Sequence, residues 1–321
     1  MASVSVCMIV KNEEKVLKRC LDSLQGLWDE LIIVDTGSED RTKEIAAAYT
    51  DKVFDFAWID DFSAARNYAF SKAACDYVYS ADADEYLDET NRERFLQLKE
   101  NILPEIEVVQ MWYVTPEEYN TTENFERQYR PKLYKRLRTP VWIDPIHEIV
   151  RMDPVVYDSD IEILHKPHDM HASRDFRAFR KHIEKGLKLS ARLHTMYARE
   201  LLMSGEKEDF VLAAEYFREN KQEAGSLGDT QRYQEAVCVL AKAYRMEGAE
   251  FAFLETALDG IATVPCSEIC VELGIFYFDK KEYEKAASWF EKAMYMTAPA
   301  LVEASGGQWP EAYLHKIEAD A

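Results

Sequence analysis

Leu31-Ile-Ile-Val-Asp35 runs straight into Thr36-Gly-Ser-Glu-Asp40, and this join decides the fold. A short apolar strand ends in a turn rich in helix-capping residues, and the spacing predicts a helix over Arg41 to Tyr49. The same unit recurs on either side. Upstream, Val4 to Val10 reads as a strand and Glu13 to Leu24 as an amphipathic helix, with Val16, Leu17, Cys20, Leu21 and Leu24 on one stripe. Downstream, Lys52 to Trp58 reads as a third strand and Ser63 to Ala74 as a helix capped by Ser63. Tyr77 to Ala81 is a fourth strand that runs into Asp82-Ala83-Asp84-Glu85. Strands alternating with helices predict βαβ units and a mostly parallel sheet.

From about 106 to 166 the pattern stays strand-like but turns irregular. Glu107 to Thr115, Lys132 to Leu137, Val141 to Ile149 and Ile161 to His165 are the candidate strands, and this part is expected to face a second substrate. Beyond Pro167 nearly everything has helical period, so the chain reads as two domains, 1–170 and 171–321. The triplet Phe210, Ala213, Phe217 recurs 73 residues later as Tyr283, Ala286, Phe290. That is about twice the 34-residue tetratricopeptide period. Leu273-Gly274 and the run to Ala293 resemble one such unit, in which small and aromatic residues let two antiparallel helices pack closely. The unit between, near Tyr244 to Ala257, is degenerate, and an ordinary helical bundle is the alternative.

The 321 residues carry 59 acidic against 39 basic side chains, a formal net charge of −20. Such a chain is repelled at long range by a nucleic acid backbone and by an anionic membrane surface, which argues against both as main partners while leaving a small anion gripped locally. With 47% hydrophobic residues, 11 Gly and 10 Pro, a packed core is expected and disorder is excluded. The cysteines Cys7, Cys20, Cys75, Cys238, Cys266 and Cys270 form no CxxC and read as free thiols of a reducing compartment. Cys266 and Cys270 lack a histidine nearby, and His165, His168 and His171 lack a cysteine, so neither set is expected to hold zinc. Ser3 to Val10, followed at once by Lys11-Asn-Glu-Glu14, reads as too short for a secretion signal, and no apolar run approaches the roughly 20 residues of a membrane span. A cytoplasmic protein is expected.

In an open α/β sheet, ligands bind outside the carboxyl ends of the strands. The acidic residues gather there: Asp35 after strand two, Asp60 and Asp61 after strand three, Asp82, Asp84 and Glu85 after strand four. Asp40 reads equally well as a helix cap or a ligand. Asp82 and Asp84 leave an apolar strand one small residue apart, and a hard cation such as Mg²⁺ or Mn²⁺ bridging a diphosphate would relieve their repulsion. Neither GxGxxG nor GxxxxGK[ST] occurs, so the phosphates must be held by metal and side chains, Arg66 and Asn67 among them. Trp112, Tyr113, Tyr119, Tyr129, Tyr134 and Trp142 lie in the irregular half and, as a group, suit a sugar acceptor or a packed core.

Val6-Cys-Met-Ile-Val-Lys-Asn-Glu-Glu14, Glu30 to Thr42, Trp58-Ile-Asp-Asp-Phe-Ser-Ala-Ala-Arg-Asn67 and Ala81-Asp-Ala-Asp-Glu85 resemble, in order and spacing, the family-2 glycosyltransferases of GT-A fold. The resemblance covers residues 1 to 100. Arg130-Pro-Lys-Leu-Tyr-Lys-Arg136, Ile146-His-Glu148 and Ile163-Leu-His165 are similar to acceptor-side motifs of a subgroup with lipopolysaccharide core glucosyltransferases and transferases with a tetratricopeptide-like tail. Ala74-Cys75-Asp76 departs from the glycine-aspartate frequent in the family, and the stretch Arg136 to Asp144 is short.

The resemblance implies a Rossmann-like, mostly parallel α/β GT-A domain followed by an all-α tetratricopeptide-like domain. It implies that Asp35 contacts the uracil or ribose of a nucleotide sugar over a floor at Val10 and Asn12, and that Arg66 touches the nucleotide or its phosphates. Asp82 would face the ribose or sugar, Asp84 and His165 would bind Mn²⁺ or Mg²⁺, and Glu148 would be the catalytic base, with His147 beside it. A single inverting displacement needs only one such base, whereas a glycoside hydrolase needs a carboxyl pair. A UDP-sugar donor and a glycan, lipid-linked or peptide acceptor are expected, and the helical half would bind the acceptor, a partner or a second copy of the chain. Two rivals exist. A nucleotidyltransferase would carry a glycine-rich basic loop where Lys11-Asn-Glu-Glu14 stands. A catalytically silent transferase domain serving a tetratricopeptide scaffold would have no reason to keep three carboxylates together.

Overall fold

The structure, a computed structural model, describes residues 1–115, 127–166 and 172–320. Tyr119, His168 and His171 of the sequence reading lie outside these. The chain divides into two compact units, Met1–His171 and Ala172–Ala321.

In the first unit, β1 (Val4–Val10), β2 (Glu30–Asp35), β3 (Val53–Asp55) and β4 (Tyr77–Ala81) alternate with α1 (Leu17–Leu24), α2 (Thr42–Ala47) and α3 (Phe62–Ser71). Then come β5 (Glu85–Tyr86), α4 (Glu89–Asn101), β6 (Val108–Val114), β7 (Arg127–Lys135), β8 (Trp142–Ile143), β9 (Ile149–Val150) and β10 (Val156–His165). One eight-stranded sheet has the order β3-β2-β1-β4-β7-β6-β10-β5. The first four strands are mutually parallel, β7 is antiparallel to both its neighbours, and β10 lies parallel to β6. Val10, Asp35, Ala81, Val114 and His165 therefore all end on one edge. This is the mostly parallel, Rossmann-like sheet that the alternation of strands and helices predicts.

The apolar stripe of α1 packs with Val4, Val6, Met8, Leu31 and Ile33 on one face of the sheet, while Ala69 and Phe70 of α3 pack with Cys7, Ile32 and Val34 on the other. Full burial of each large aliphatic or aromatic side chain contributes roughly 1.5–3 kcal/mol, which makes the alternation of strand faces the main constraint on register.

Several boundaries differ from the sequence reading. Helix α1 starts at Leu17, after a turn in which the Leu17 amide bonds to the Glu13 carbonyl. The cap of α3 is Asp61, which accepts from the Ala64 amide at 2.9 Å, while Ser63 is inside the helix and donates to Asp61. β3 is three residues long. The expected strand Val141 to Ile149 breaks into β8 and β9, a separate hairpin, because Asp144 and His147 adopt left-handed backbone conformations between them.

The second unit is all-helical among the described residues: α5 (Ala172–Glu184), α6 (Ala191–Ser204), α7 (Lys207–Leu227), α8 (Thr230–Glu247), α9 (Glu250–Thr263), α10 (Ser267–Asp279), α11 (Tyr283–Tyr295) and α12 (Gln308–Asp320). Helices adjacent in sequence pack in pairs, α7 on α8 and α10 on α11. Phe210, Ala213, Phe217, Ala286 and Phe290 of the recurring triplet are buried. A Cβ on Gly274 would overlap the Phe290 ring, so glycine sets the close approach of α10 to α11. This is the packing that the tetratricopeptide-like reading requires. No helix among the described residues is long and apolar enough to cross a membrane.

Candidate active site

The strand order reverses at β1: the chain builds β2 and β3 on one side of it and then crosses to β4 on the other. Such a switch point opens a crevice at the carboxyl edge. There Val10 lies opposite Asp35, and the Val10 carbonyl accepts from the Thr36 amide at 2.9 Å and hydroxyl at 3.1 Å. Asn12 has φ 56°, and it ties the two loops together: its amide donates to Ser38 Oγ at 2.9 Å and its Oδ1 accepts from the Glu39 amide at 2.8 Å. Asp35 is 2% exposed. Its Oδ1 accepts from the amides of Gly37 and Ser38, each at 2.9 Å, but Oδ2 is buried with no partner. An unmet buried acceptor costs about 1–3 kcal/mol, so this oxygen suits the N–H or O–H of a ligand. Asp40, by contrast, bonds to the Thr42 amide and hydroxyl through Oδ1 and to the Glu14 amide through Oδ2. It is a cap.

Across β1 a chain of charges begins. Arg66, on α3, donates through Nε to Glu148 Oε1 at 2.5 Å, through Nη1 to Ser80 Oγ at 3.1 Å and through Nη2 to Asp82 Oδ1 at 2.8 Å. Its guanidinium lies 5.0 Å from the Trp142 ring centre. Asp82 Oδ2 is 3.5 Å from Lys132 Nζ, and Lys132 bonds to Glu85 Oε1 at 2.8 Å. Burial opposes ionisation of both Arg66 and Asp82. It is outweighed at Arg66 by Asp82 and Glu148, and at Asp82 by Arg66 and then Lys132, so the arginine stays charged and the carboxyl is held well below the usual carboxylate range. Glu85 is raised, by burial first, with Asp82 and Asp84 adding against the pull of Lys132.

The third cluster joins Asp84 to His165. The Nε2 of His165 is 3.1 Å from Asp84 Oδ2, and its Nδ1 is 3.4 Å from Thr115 Oγ1. The backbone sets the pair: His165 faces Glu85 in the β5–β10 ladder, and the Lys166 amide donates to the Asp84 carbonyl at 3.0 Å. A carboxylate oxygen beside an imidazole nitrogen whose other nitrogen rests on a hydroxyl is a donor set that fits Mn²⁺ or Mg²⁺. Asp82 does not join it, since both its oxygens face Arg66 and Lys132. Among the described residues the one group of three metal-capable side chains within 4.8 Å is Cys238, Cys266 and Glu268 in the helical unit. There Glu268 accepts from the amides of Ala300, Leu301 and Val302, and the two thiols contact each other at 3.3 Å. Cys266 thus pairs with Cys238 across helices.

The fold brings Val10, Asn12 and Asp35 together, links Arg66, Asp82 and Glu148, and pairs Asp84 with His165. It does not place Asn67 at the site: its amide bonds to the Trp142 main chain at 2.8 and 2.9 Å and pins β8. Tyr113, Tyr134 and Trp142 are core residues, and Trp112 stacks on Tyr129 with centroids 3.7 Å apart, so the aromatic set divides between packing and the sheet face. Glu148, which has no carboxyl partner in the sequence, has Arg66. Lys132 and Ser80 were not singled out by sequence reasoning. Lys132 stands within the quoted Arg130 to Arg136 motif, and a lone lysine at 5% exposure in a strand is the signal that only burial reveals.

The sequence model described as "Glycosyl transferase family 2" matches residues 5–183. A TPR repeat-containing protein of Synechococcus elongatus is 52% identical over 87 residues, which is 27% of this chain and 22% of that protein. The SPbeta prophage-derived glycosyltransferase SunS of Bacillus subtilis is 33% identical over 92 residues, 28% of this chain and 22% of its own length. The lipopolysaccharide core biosynthesis glycosyltransferase LpsC of Rhizobium meliloti is 29% identical over 99 residues, 30% of this chain and 36% of its own. The chain thus matches between about a fifth and about a third of the length of these curated relatives. Glucosyl-3-phosphoglycerate synthase from Mycobacterium tuberculosis, solved with Mn²⁺, UDP-glucose and phosphoglyceric acid, superposes with a TM-score of 0.43 at 16% identity, over 59% of this chain and 82% of that one. With the family's sequence model covering more than half of the residues, and the mostly parallel sheet carrying its motif blocks to one edge, the chain belongs to glycosyl transferase family 2.

Proposed function

We propose that the chain is a metal-dependent, inverting glycosyltransferase that moves a sugar from a UDP-sugar to a hydroxyl of a glycan, lipid-linked or peptide acceptor. The observation that carries this reading is the unpartnered, buried Oδ2 of Asp35 on the same sheet edge as the Asp84–His165 pair. Asp35, over Val10 and Asn12, takes a donor group of the uracil or ribose; Asp82, held by Arg66 and Lys132 yet a third exposed, lines the ribose or sugar side; Asp84 and His165 are the metal ligands. A bound Mn²⁺ or Mg²⁺ would neutralise charge on the diphosphate as it leaves. Arg66, held by Asp82, adds a fixed positive charge for the nucleotide phosphates and keeps the Glu148 carboxylate in one orientation. Glu148 is the base. As the acceptor oxygen bonds to the anomeric carbon, the bond from that carbon to the diphosphate breaks, UDP departs with the electron pair, and the hydroxyl proton passes to Glu148 and on to solvent. One displacement inverts the anomeric carbon. The net charge of −20 supports a small, locally gripped anion over a nucleic acid, and six free cysteines accord with the cytoplasm.

UDP release from a panel of UDP-sugars, followed with Mn²⁺ and with EDTA, tests the reading. Release from at least one donor that EDTA abolishes is expected; metal-independent release would remove the metal from the mechanism.

A further inference from the structure

The Asp84–His165 pair hangs on a weak piece of sheet. β5 is the edge strand and has two residues, so its ladder with β10 consists of Glu85 opposite His165 and Tyr86 opposite Leu164. Such a ladder restrains little by itself. Arg19 of α1 reinforces it. Its Nη2 donates to the Asp84 carbonyl at 3.1 Å and to the Lys166 carbonyl at 2.9 Å, while its guanidinium rests 5.1 Å from the Tyr86 ring centre. These carbonyls belong to one expected metal ligand and to the residue that follows the other. A permanently charged planar group bridging both strands fixes their separation in a way a flexible ammonium does less well.

The rest of α1 grips the same segment elsewhere. Cys20 Sγ lies 3.4 Å from the Asp82 carbonyl, and Ser23 Oγ accepts from the Leu87 amide at 3.2 Å. The segment is therefore anchored on both sides of Asp84 without Arg19, and Arg19 acts on the register of Asp84 against His165, beside the single main-chain bond from the Lys166 amide to the Asp84 carbonyl.

We propose that Arg19 is a positioning residue for the cation site: by bridging the main chain at Asp84 and Lys166 it sets the distance between the Asp84 carboxylate and the His165 imidazole. This rests on the reading of those two side chains as metal ligands. Groups that orient ligands in this way change metal affinity about 10–100-fold when removed.

The test is a titration of Mn²⁺ into the full chain with UDP present, free Mn²⁺ being read by electron paramagnetic resonance. R19M is expected to bind Mn²⁺ about ten- to a hundredfold more weakly than the wild type, R19K to fall between them, and UDP affinity without metal to stay the same. In a D84A background, R19M should cause no further loss, because the ligand that Arg19 positions is gone; a general packing defect would add its own loss there. Mn²⁺ affinity of folded R19M within twofold of wild type, or an undiminished loss in the D84A background, overturns the proposal. Should R19M not fold, R19Q carries the same comparison. A wild type that takes up no Mn²⁺ removes the metal-site reading and this proposal with it, whereas wild-type uptake that R19M leaves unchanged removes Arg19 alone.

Discussion

Replacing Asp84 with alanine is expected to lower UDP release by about 10³-fold at an Mn²⁺ concentration that just saturates the wild type, with the fold intact. The magnitude follows from the several kcal/mol a metal contributes to a leaving diphosphate, since ~4 kcal/mol corresponds to about three powers of ten in rate. The fold should survive for a local reason. The Asp84 side chain is partly exposed, and its charge stands beside Glu85, whose carboxyl it helps to push upward. Removing it relieves repulsion, and the Asp84 carbonyl keeps its bonds to Lys166 and Arg19. Steady-state assays beside circular dichroism and thermal melts check both halves. Unchanged turnover in a folded variant would refute the metal assignment.

Replacing Glu148 with glutamine should reduce kcat by about 10²–10⁴-fold, the range general-base catalysis contributes, while UDP affinity stays within about twofold. Glutamine keeps an oxygen to accept from Arg66 Nε, and Arg66 keeps Ser80 and Asp82, so the charge chain loses one member without collapsing. What disappears is the group that takes the proton. Calorimetry with UDP and single-turnover kinetics separate the two effects, and a wild-type rate would remove Glu148 as the base. A parallel loss of UDP binding would assign Glu148 to holding Arg66 for the nucleotide instead.

The legible part of this molecule is the part encoded locally. Val4 to Val10, Leu31 to Asp35 and Tyr77 to Ala81 are apolar runs bounded by cap residues, and they appear as β1, β2 and β4 at nearly those limits. Carboxylates at strand ends can be read from a sequence because strand direction alone carries them to one edge. What depends on distant segments could not be read. Arg66 and Glu148 are 82 residues apart, and Lys132 meets Glu85 across 47. Nothing in the spacing of either pair announces the contact. Asn67 looked like a ligand because it follows Arg66, but one step along a helix turns a side chain by about 100°, and it faces Trp142. The capping of α3 fell to Asp61 instead of Ser63 because a residue two positions earlier already supplied the oxygen, which Ser63 then supports. The aromatic residues do not form one surface for a related reason: period-two alternation along β6 sends Tyr113 into the core and Trp112 to the opposite face.

The most direct measurement of the central claim is calorimetric titration of UDP, GDP, CDP and dTDP into the protein with and without Mn²⁺, alongside thermal shifts, since a ligand that binds only the folded state raises stability by an amount set by its concentration over its Kd. The proposed function predicts that one of the diphosphates, UDP on the family resemblance, binds and that it binds far more tightly with Mn²⁺. No binding by any diphosphate, with or without metal, would contradict the account and leave a silent transferase domain in a tetratricopeptide scaffold as the better description.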